Sequence, residues 1–396
     1  MANESAAVYA PVETAARSEG LRLPYVDGLR GASAIYVVLF HMYQFASARF
    51  VGAPPKWWKA FTIFNYGDCG VAVFIVLSGY CLMLPVALSD GLQLKGGRRQ
   101  FALRRLRRLG PGYVAALFGS SVLILLIPPL RHHSGTLWDA TLPAFSVGTI
   151  LAHVLLIYNW SRTWRYEIDT PMWTVALEVQ IYAVFVLALL PLWRRTVGRR
   201  PHLVILGASA FVTGILMAVG LTWAQPQMLV LFAFGMCAAH MGQLPSRRMR
   251  GRVDIIVIAA AASVPLMLAT ERRFVRDYDF VVLWRELVVG IAVAVLLLAL
   301  RRATPADGRI TGWVGSVFST RPLTWLGEIS YSLYLVHFPI IGAIAFTRVY
   351  GRRLGAPENF ALIVLVGGAL SVAVAVAFHW LFERRYLSRR QPVLSA

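Results

Sequence analysis

Long apolar runs separated by short basic clusters fill almost the whole chain. Runs able to cross about 30 Å of hydrocarbon occur near residues 31–49, 61–86, 111–130, 172–193, 203–222, 228–243, 253–270, 281–300, 323–346 and 360–382, the sixth being short. An eleventh candidate, 142–158, sets the orientation of everything after it. If it does not span, one side of the membrane holds 26 of the 39 Lys and Arg and the other 12, with Arg285 inside a helix. If it does span, most later basic clusters move outside, against the bias that keeps positive loops in the cytoplasm. The pattern therefore predicts an all-α, polytopic transmembrane bundle of about ten spanning helices, with 142–158 re-entrant or interfacial and both termini cytoplasmic. The expected division is a cytoplasmic tail over 1–24, a membrane domain over 25–385 and a cytoplasmic tail over 386–396.

Composition supports this picture. With 58% hydrophobic and 15% charged residues and a mean hydropathy of +0.61, the chain cannot present the polar surface of a water-soluble globule. A net charge of +20 raises the question of nucleic acid. The basic residues, however, sit in short clusters between apolar runs, as cytoplasmic loops do, and nucleic-acid binding is set aside. Cys69, Cys81 and Cys237 show no paired spacing, so neither a disulfide framework nor a metal site is expected.

The first apolar run, YVDGLRGASAIYVVLFHMYQF over 25–45, places Arg30 where the helix should begin and His41 near mid-membrane. Eleven steps of about 100° return a helix to nearly the same face, so the two share one stripe, roughly 16 Å apart. An ionisable group at that depth is costly and marks a functional site.

Five stretches together resemble the integral-membrane acyltransferase-3 family. The first is DGLRG followed by the helix carrying His41. The second, FNYGDCGVAVFIVLSGYCLMLP, is similar to the family pattern at Gly70, Val71, Phe74, Ser78 and Gly79, with Tyr80 where Phe is usual. The third, RRQFALRRLRRLGPGY, matches at Arg104, Arg107, Arg108, Pro111 and Tyr113. Arg104, Arg107 and Arg108 fall at i, i+3 and i+4 and should share a face of a surface-lying helical turn. The fourth, TPMWTVALEVQIYAVF, carries Trp173, Leu177, Glu178 and Tyr182, and the fifth, LTWLGEISYSLYLVHFPII, carries Gly327, Ser330, Tyr331, Tyr334, His337 and Pro339. Ser330, Tyr334 and His337 form a polar stripe that needs water, a ligand or another helix. Near the end, Glu383 and Arg384 match the family's closing motif, but Arg385 replaces its Pro, and only an inner-surface anchor is expected there.

Each stretch also has a purely structural reading. Ser78 and its small neighbours allow close helix packing, the arginines hold topology and bind anionic headgroups, Asp68 is hydrated, and Glu178 pairs with an Arg such as Arg285. The resemblance implies transfer of an acyl group, usually acetyl, from acyl-coenzyme A to a hydroxyl on a sugar-bearing molecule, without a metal. A histidine shielded from water stays neutral and able to accept a proton, so His41 is the expected general base, with Glu178 orienting it. An acyl-His41 intermediate is the competing route. Arg30, Ser78, Arg104, Arg107 and Arg108 are the expected coenzyme A contacts, and Trp173, Tyr182, Ser330, Tyr331, Tyr334 and His337 the expected substrate contacts. The expected partners are acyl-coenzyme A, membrane lipids and a cell-surface glycan, glycolipid or glycosylated natural product such as a macrolide, in the plasma membrane of a bacterium. A homodimer is left open. A proton-coupled transporter is the rival class, since buried His and Glu also build proton relays.

Overall fold

A computed structural model describes residues 23–143, 145–244, 253–274, 278–302 and 309–386. The N-terminal tail up to residue 22, the basic cluster at 247–252 and the C-terminal tail from 387 lie outside the described residues, and with them the placing of both chain ends. Among the described residues all regular structure is helical.

Helix α1 (Pro24–Ala48) starts seven residues before the apolar run. Pro24 at the first turn needs no N–H partner, and Asp27 in that turn complements the helix dipole. Arg30 therefore lies inside the helix rather than at its start. Helix α2 (Gly67–Ala87) follows a short 3₁₀ segment over Lys56–Asn65. Helix α3 (Gly97–Leu126) is continuous through Pro111, so the basic run forms its first turns instead of a separate surface turn. A membrane helix tolerates the one backbone bond that such a proline removes. The next 46 residues, 127–172, are irregular apart from short turns and α4 (Val147–Val154). Eight residues rise only about 12 Å, so α4 cannot cross, in line with the charge argument.

The remaining helices are α5 (Trp173–Val184), which runs through a π turn into α6 (Leu190–Arg195), then α7 (Pro201–Ala218), α8 (Met228–Met241), α9 (Val253–Phe274), α10 (Tyr278–Arg302), α11 (Arg309–Phe318), α12 (Arg321–Ile344), α13 (Ala356–Leu362) and α14 (Ala369–Phe378). Seven helical stretches among the described residues are long and apolar enough to cross a membrane, fewer than the ten read from the sequence: 56–87, 97–126, 170–195, 201–218, 280–302, 321–352 and 356–386. The chain is a multi-pass membrane protein. Helix α1, with Asp27 and Arg30, falls outside that set, and α8 has only 14 residues. Yet α1 packs along one of the seven, α12, and shares its depth.

That packing is backbone on backbone. A Cβ added to Gly31 would lie 2.3 Å from the carbonyl oxygen of Leu323 and one on Gly327 1.9 Å from that of Asp27, while one on Gly28 would lie 1.6 Å from that of Phe318 at the end of α11. Only glycine permits so close an approach. Gly31 and Gly327 thus set a parallel register, and His41 and His337 each lie ten residues further along their helices. The bundle has two large apolar cores, one around Tyr80, Phe185 and Phe232 and one around Phe45, Trp138 and Phe338. Phe74, Trp173 and Tyr331 pack against both, so the seam between the cores runs past the polar residues of interest.

Candidate active site

At the seam His41 Nδ1 lies 3.0 Å from His337 Nε2. His41 is 7% exposed and His337 0%. Phe40 and Phe338 flank the His41 ring, at centroid distances of 4.7 and 5.0 Å. On the far side of His337, Nδ1 is 3.0 Å from the carbonyl oxygen of Leu333 and 2.9 Å from that of Tyr334. Carbonyl oxygens only accept, so His337 Nδ1 carries the proton and, in the neutral ring that an apolar setting favours, Nε2 accepts. His41 Nδ1 must then donate, which leaves the lone pair on His41 Nε2. This tautomer follows from the hydrogen-bond network.

His41 also lines a cavity of about 610 Å³ at the end of the bundle opposite Arg30. Its wall includes the expected Trp173 and Tyr334 together with Gln44, Asn65 and Glu286, which the sequence reading did not single out. The Tyr334 hydroxyl donates to the Pro171 carbonyl at 3.0 Å and accepts from Thr174 Oγ1 at 2.9 Å, tying α12 to the start of α5. The expected stripe on α12 divides. Tyr334 and His337 belong to the site, whereas Ser330 donates to its own helix at Gly327, 2.8 Å away. Tyr331 donates to the Leu109 carbonyl at 2.8 Å and so joins α12 to α3.

Glu178 occupies a second polar cluster nearer the Arg30 end. Its Oε1 accepts from Ser78 Oγ at 2.9 Å and from the Tyr182 hydroxyl one turn away. The expectation that Glu178 orients His41 finds no contact here, because His337 holds that position. Nor does Glu178 pair with Arg285. Arg285 Nε lies 2.6 Å from Asp68 Oδ2, so Asp68 is an ion-pair partner and not merely a hydrated end residue. Arg30 and Arg105 both act electrostatically on Glu178 and Tyr182. Arg105, which the sequence reading passed over, sits 5.8 Å from the Tyr182 ring centre and 5.6 Å from that of Phe101. In the basic run Arg104 and Arg107 are exposed, Arg104 donating to the Lys95 carbonyl at 2.8 Å, while Arg105 and Arg108 are half-buried. The inward face of α3 is therefore the Arg105–Arg108 pair.

Beside the middle of α12, Glu383 is buried rather than at a surface, where it accepts from Ser332 Oγ at 2.8 Å and bonds His379 Nδ1 at 2.9 Å. Among the described residues no group of three His, Cys, Asp or Glu could hold a metal ion.

A model of the acyltransferase domain family matches residues 23–380. The chain is 26% identical to the acyltransferase MdmB of Streptomyces mycarofaciens, over 95% of each chain. It is 24% identical to the peptidoglycan O-acetyltransferase OatA of Listeria monocytogenes, over 81% of this chain and 49% of that one, so it spans about half the length of that relative. No solved structure matches.

Proposed function

Since the chain belongs to the acyltransferase-3 family, we propose that this membrane acyltransferase moves an acyl group, acetyl in the first instance, from acyl-coenzyme A to a hydroxyl of a sugar-containing acceptor, with His41 as general base. The observation that carries this reading is the His41–His337 contact, which leaves Nε2 as the acceptor of a ring that lines the cavity.

The acceptor hydroxyl gives its proton to His41 Nε2 as its oxygen attacks the thioester carbonyl. The tetrahedral intermediate collapses, the carbon–sulfur bond breaks, and the proton on His41 passes to the leaving thiolate. A placed base of this kind contributes about 10² to 10⁴ in rate. A direct transfer needs only this one proton shuttle. An acyl-His41 intermediate would use the same Nε2 as nucleophile.

Arg30, Arg105 and Arg108 form the basic face suited to the phosphates of coenzyme A, since guanidinium forks match phosphate oxygens. Arg104 and Arg107 point outward and suit anionic headgroups. Glu178, Ser78 and Tyr182 form the polar cluster nearest this face, and on this reading the acyl arm would pass them to reach His41. The arginine-rich first turns of α3 and the Arg194–Arg200 loop mark the Arg30 end as cytoplasmic, in a bacterial inner membrane, with ten crossings as the count that fits the charge distribution.

The test is purified full-length protein with radiolabelled acetyl-coenzyme A, scored by release of coenzyme A and labelled product. His41→Ala should remove transfer by at least about 10² while leaving the melting temperature within a few degrees. Retained transfer would end the role given to His41.

A further inference from the structure

We propose that Glu286, held by Gln227, anchors the acceptor in the cavity by taking hydrogen bonds from neighbouring hydroxyls of a neutral, sugar-like molecule; this rests on the acyltransferase reading above. Glu286 belongs to none of the five family-like stretches. It sits on α10, in a helix otherwise apolar enough to span, and is 1% exposed. Such a carboxyl in a membrane helix is expensive to bury and is kept where it has a use.

Its surroundings specify that use. Glu286 Oε2 accepts from Gln227 Nε2 at 2.8 Å, and the same amide nitrogen reaches Gln225 Oε1 at 2.6 Å. Among the described residues no hydrogen bond reaches the other carboxyl oxygen of Glu286, although Glu286 lines the cavity that His41 also lines. Arg285, its neighbour in sequence, directs Nε to Asp68 instead. One oxygen is thus fixed by a buried amide and the second is available to a ligand.

The charges limit what that ligand is. Of the charged groups on the wall, Asp68 is paired with Arg285, whose own side chain is not part of the lining, and Arg165 lies over the rings of Tyr166 and Trp173, so these charges are engaged within the protein rather than offered to an ionic acceptor. The amides of Gln44 and Asn65 can both give and take hydrogen bonds, and Trp173, with the Arg165 guanidinium 4.7 Å from its ring centre on one face, adds aromatic surface to the wall. A cavity of about 610 Å³ holds a ligand of glycoside size. Carboxyl, amides and an aromatic ring are the groups that suit a polyol with an apolar ring face.

The experiment compares two alcohols as acceptors for acetyl-coenzyme A with the purified full chain: methyl glucoside, which has adjacent hydroxyls, and 1-hexanol, which has one. Wild type should prefer methyl glucoside in kcat/KM. Glu286→Leu should cut that preference about ten- to a hundredfold, through acceptor KM, with the KM for acetyl-coenzyme A unchanged. Glu286→Gln, which keeps an acceptor oxygen and the same volume, should lose less and serves as the readout should the Leu variant fail to fold. An unchanged preference in a folded variant, or a wild type that favours hexanol, overturns the assignment while leaving acyl transfer intact. Turnover of neither alcohol by wild type defeats the acyltransferase reading and this one with it.

Discussion

Replacing His337 tests the geometry of the site more sharply than replacing His41. The 3.0 Å contact from His41 Nδ1 to His337 Nε2 is a neutral hydrogen bond between buried groups, and its direct loss costs only about 0.5–1.5 kcal/mol of stability. The kinetic consequence is larger. His337→Phe keeps a ring against Tyr334 but offers no acceptor, so only the backbone bond to Val37 is left to favour the proton on His41 Nδ1. Where the proton moves to Nε2, that nitrogen becomes a donor, and the base contribution of about 10² to 10⁴ is forfeited. We expect kcat to fall by that factor in His337→Phe, with the KM for acetyl-coenzyme A unchanged. His337→Gln can place an amide oxygen where Nε2 was and should fall by about tenfold or less. Nitrogen NMR on protein labelled at histidine reports the tautomer directly: wild type should show Nδ1–H imidazoles at both His41 and His337, and the His41 signal should disappear in His41→Ala. A His337→Phe enzyme within threefold of wild type, or an Nε2–H tautomer at His41 in wild type, would refute the reasoning.

Two further substitutions probe the frame around that dyad. Arg105→Ala should raise the KM for acetyl-coenzyme A about tenfold or more through loss of a charged hydrogen bond, whereas the exposed Arg104→Ala should stay within about twofold; equal effects would mean that α3 does not present the Arg105–Arg108 face to the donor. Gly327→Val would drive a Cβ to within 1.9 Å of the Asp27 carbonyl oxygen. Overpacking of that kind costs about 1–3 kcal/mol or more, so the variant should melt earlier in detergent and lose transfer by separating His41 from His337. Wild-type melting with wild-type activity would argue against the α1–α12 register.

How much of this was legible in the sequence follows from what a single residue can signal. An imidazole in an apolar run is visible at once, because its cost in lipid does not depend on its partners; His41 was legible for that reason. Its partner was not, since His337 is 296 positions away and the pairing depends on Gly31 and Gly327 bringing two backbones together. Helical spacing put Ser330, Tyr334 and His337 on one stripe, but spacing does not reveal that Ser330 bonds its own helix. The same limit hid Arg105. In a run of four arginines every face of the helix carries one, and only the docking of α3 against Phe101 and Tyr182 selects which points inward. The segment 142–158 was readable as non-spanning from charge, yet the contribution of Arg165 and Pro171, in the irregular stretch around it, to the cavity wall required the chain to be folded.

The division between the two kinds of residue is itself informative. Arg30, Ser78, Glu178, Tyr182, His41 and His337 all fall in stretches resembling the family, and they make up the imidazole pair and the polar cluster nearer the basic end of the bundle. Gln44, Asn65, Gln227 and Glu286 fall outside the positions that carry the resemblance, and they line the cavity beyond it. A reaction common to many acyltransferases needs the same donor site and the same base in each. The acceptor is what differs between them, and the groups that recognise it have no reason to follow a shared pattern. On the proposed reading Gln44, Asn65, Gln227 and Glu286 are the groups that would specify the acceptor, and substitutions there should change which alcohol is acylated before they change whether acylation occurs.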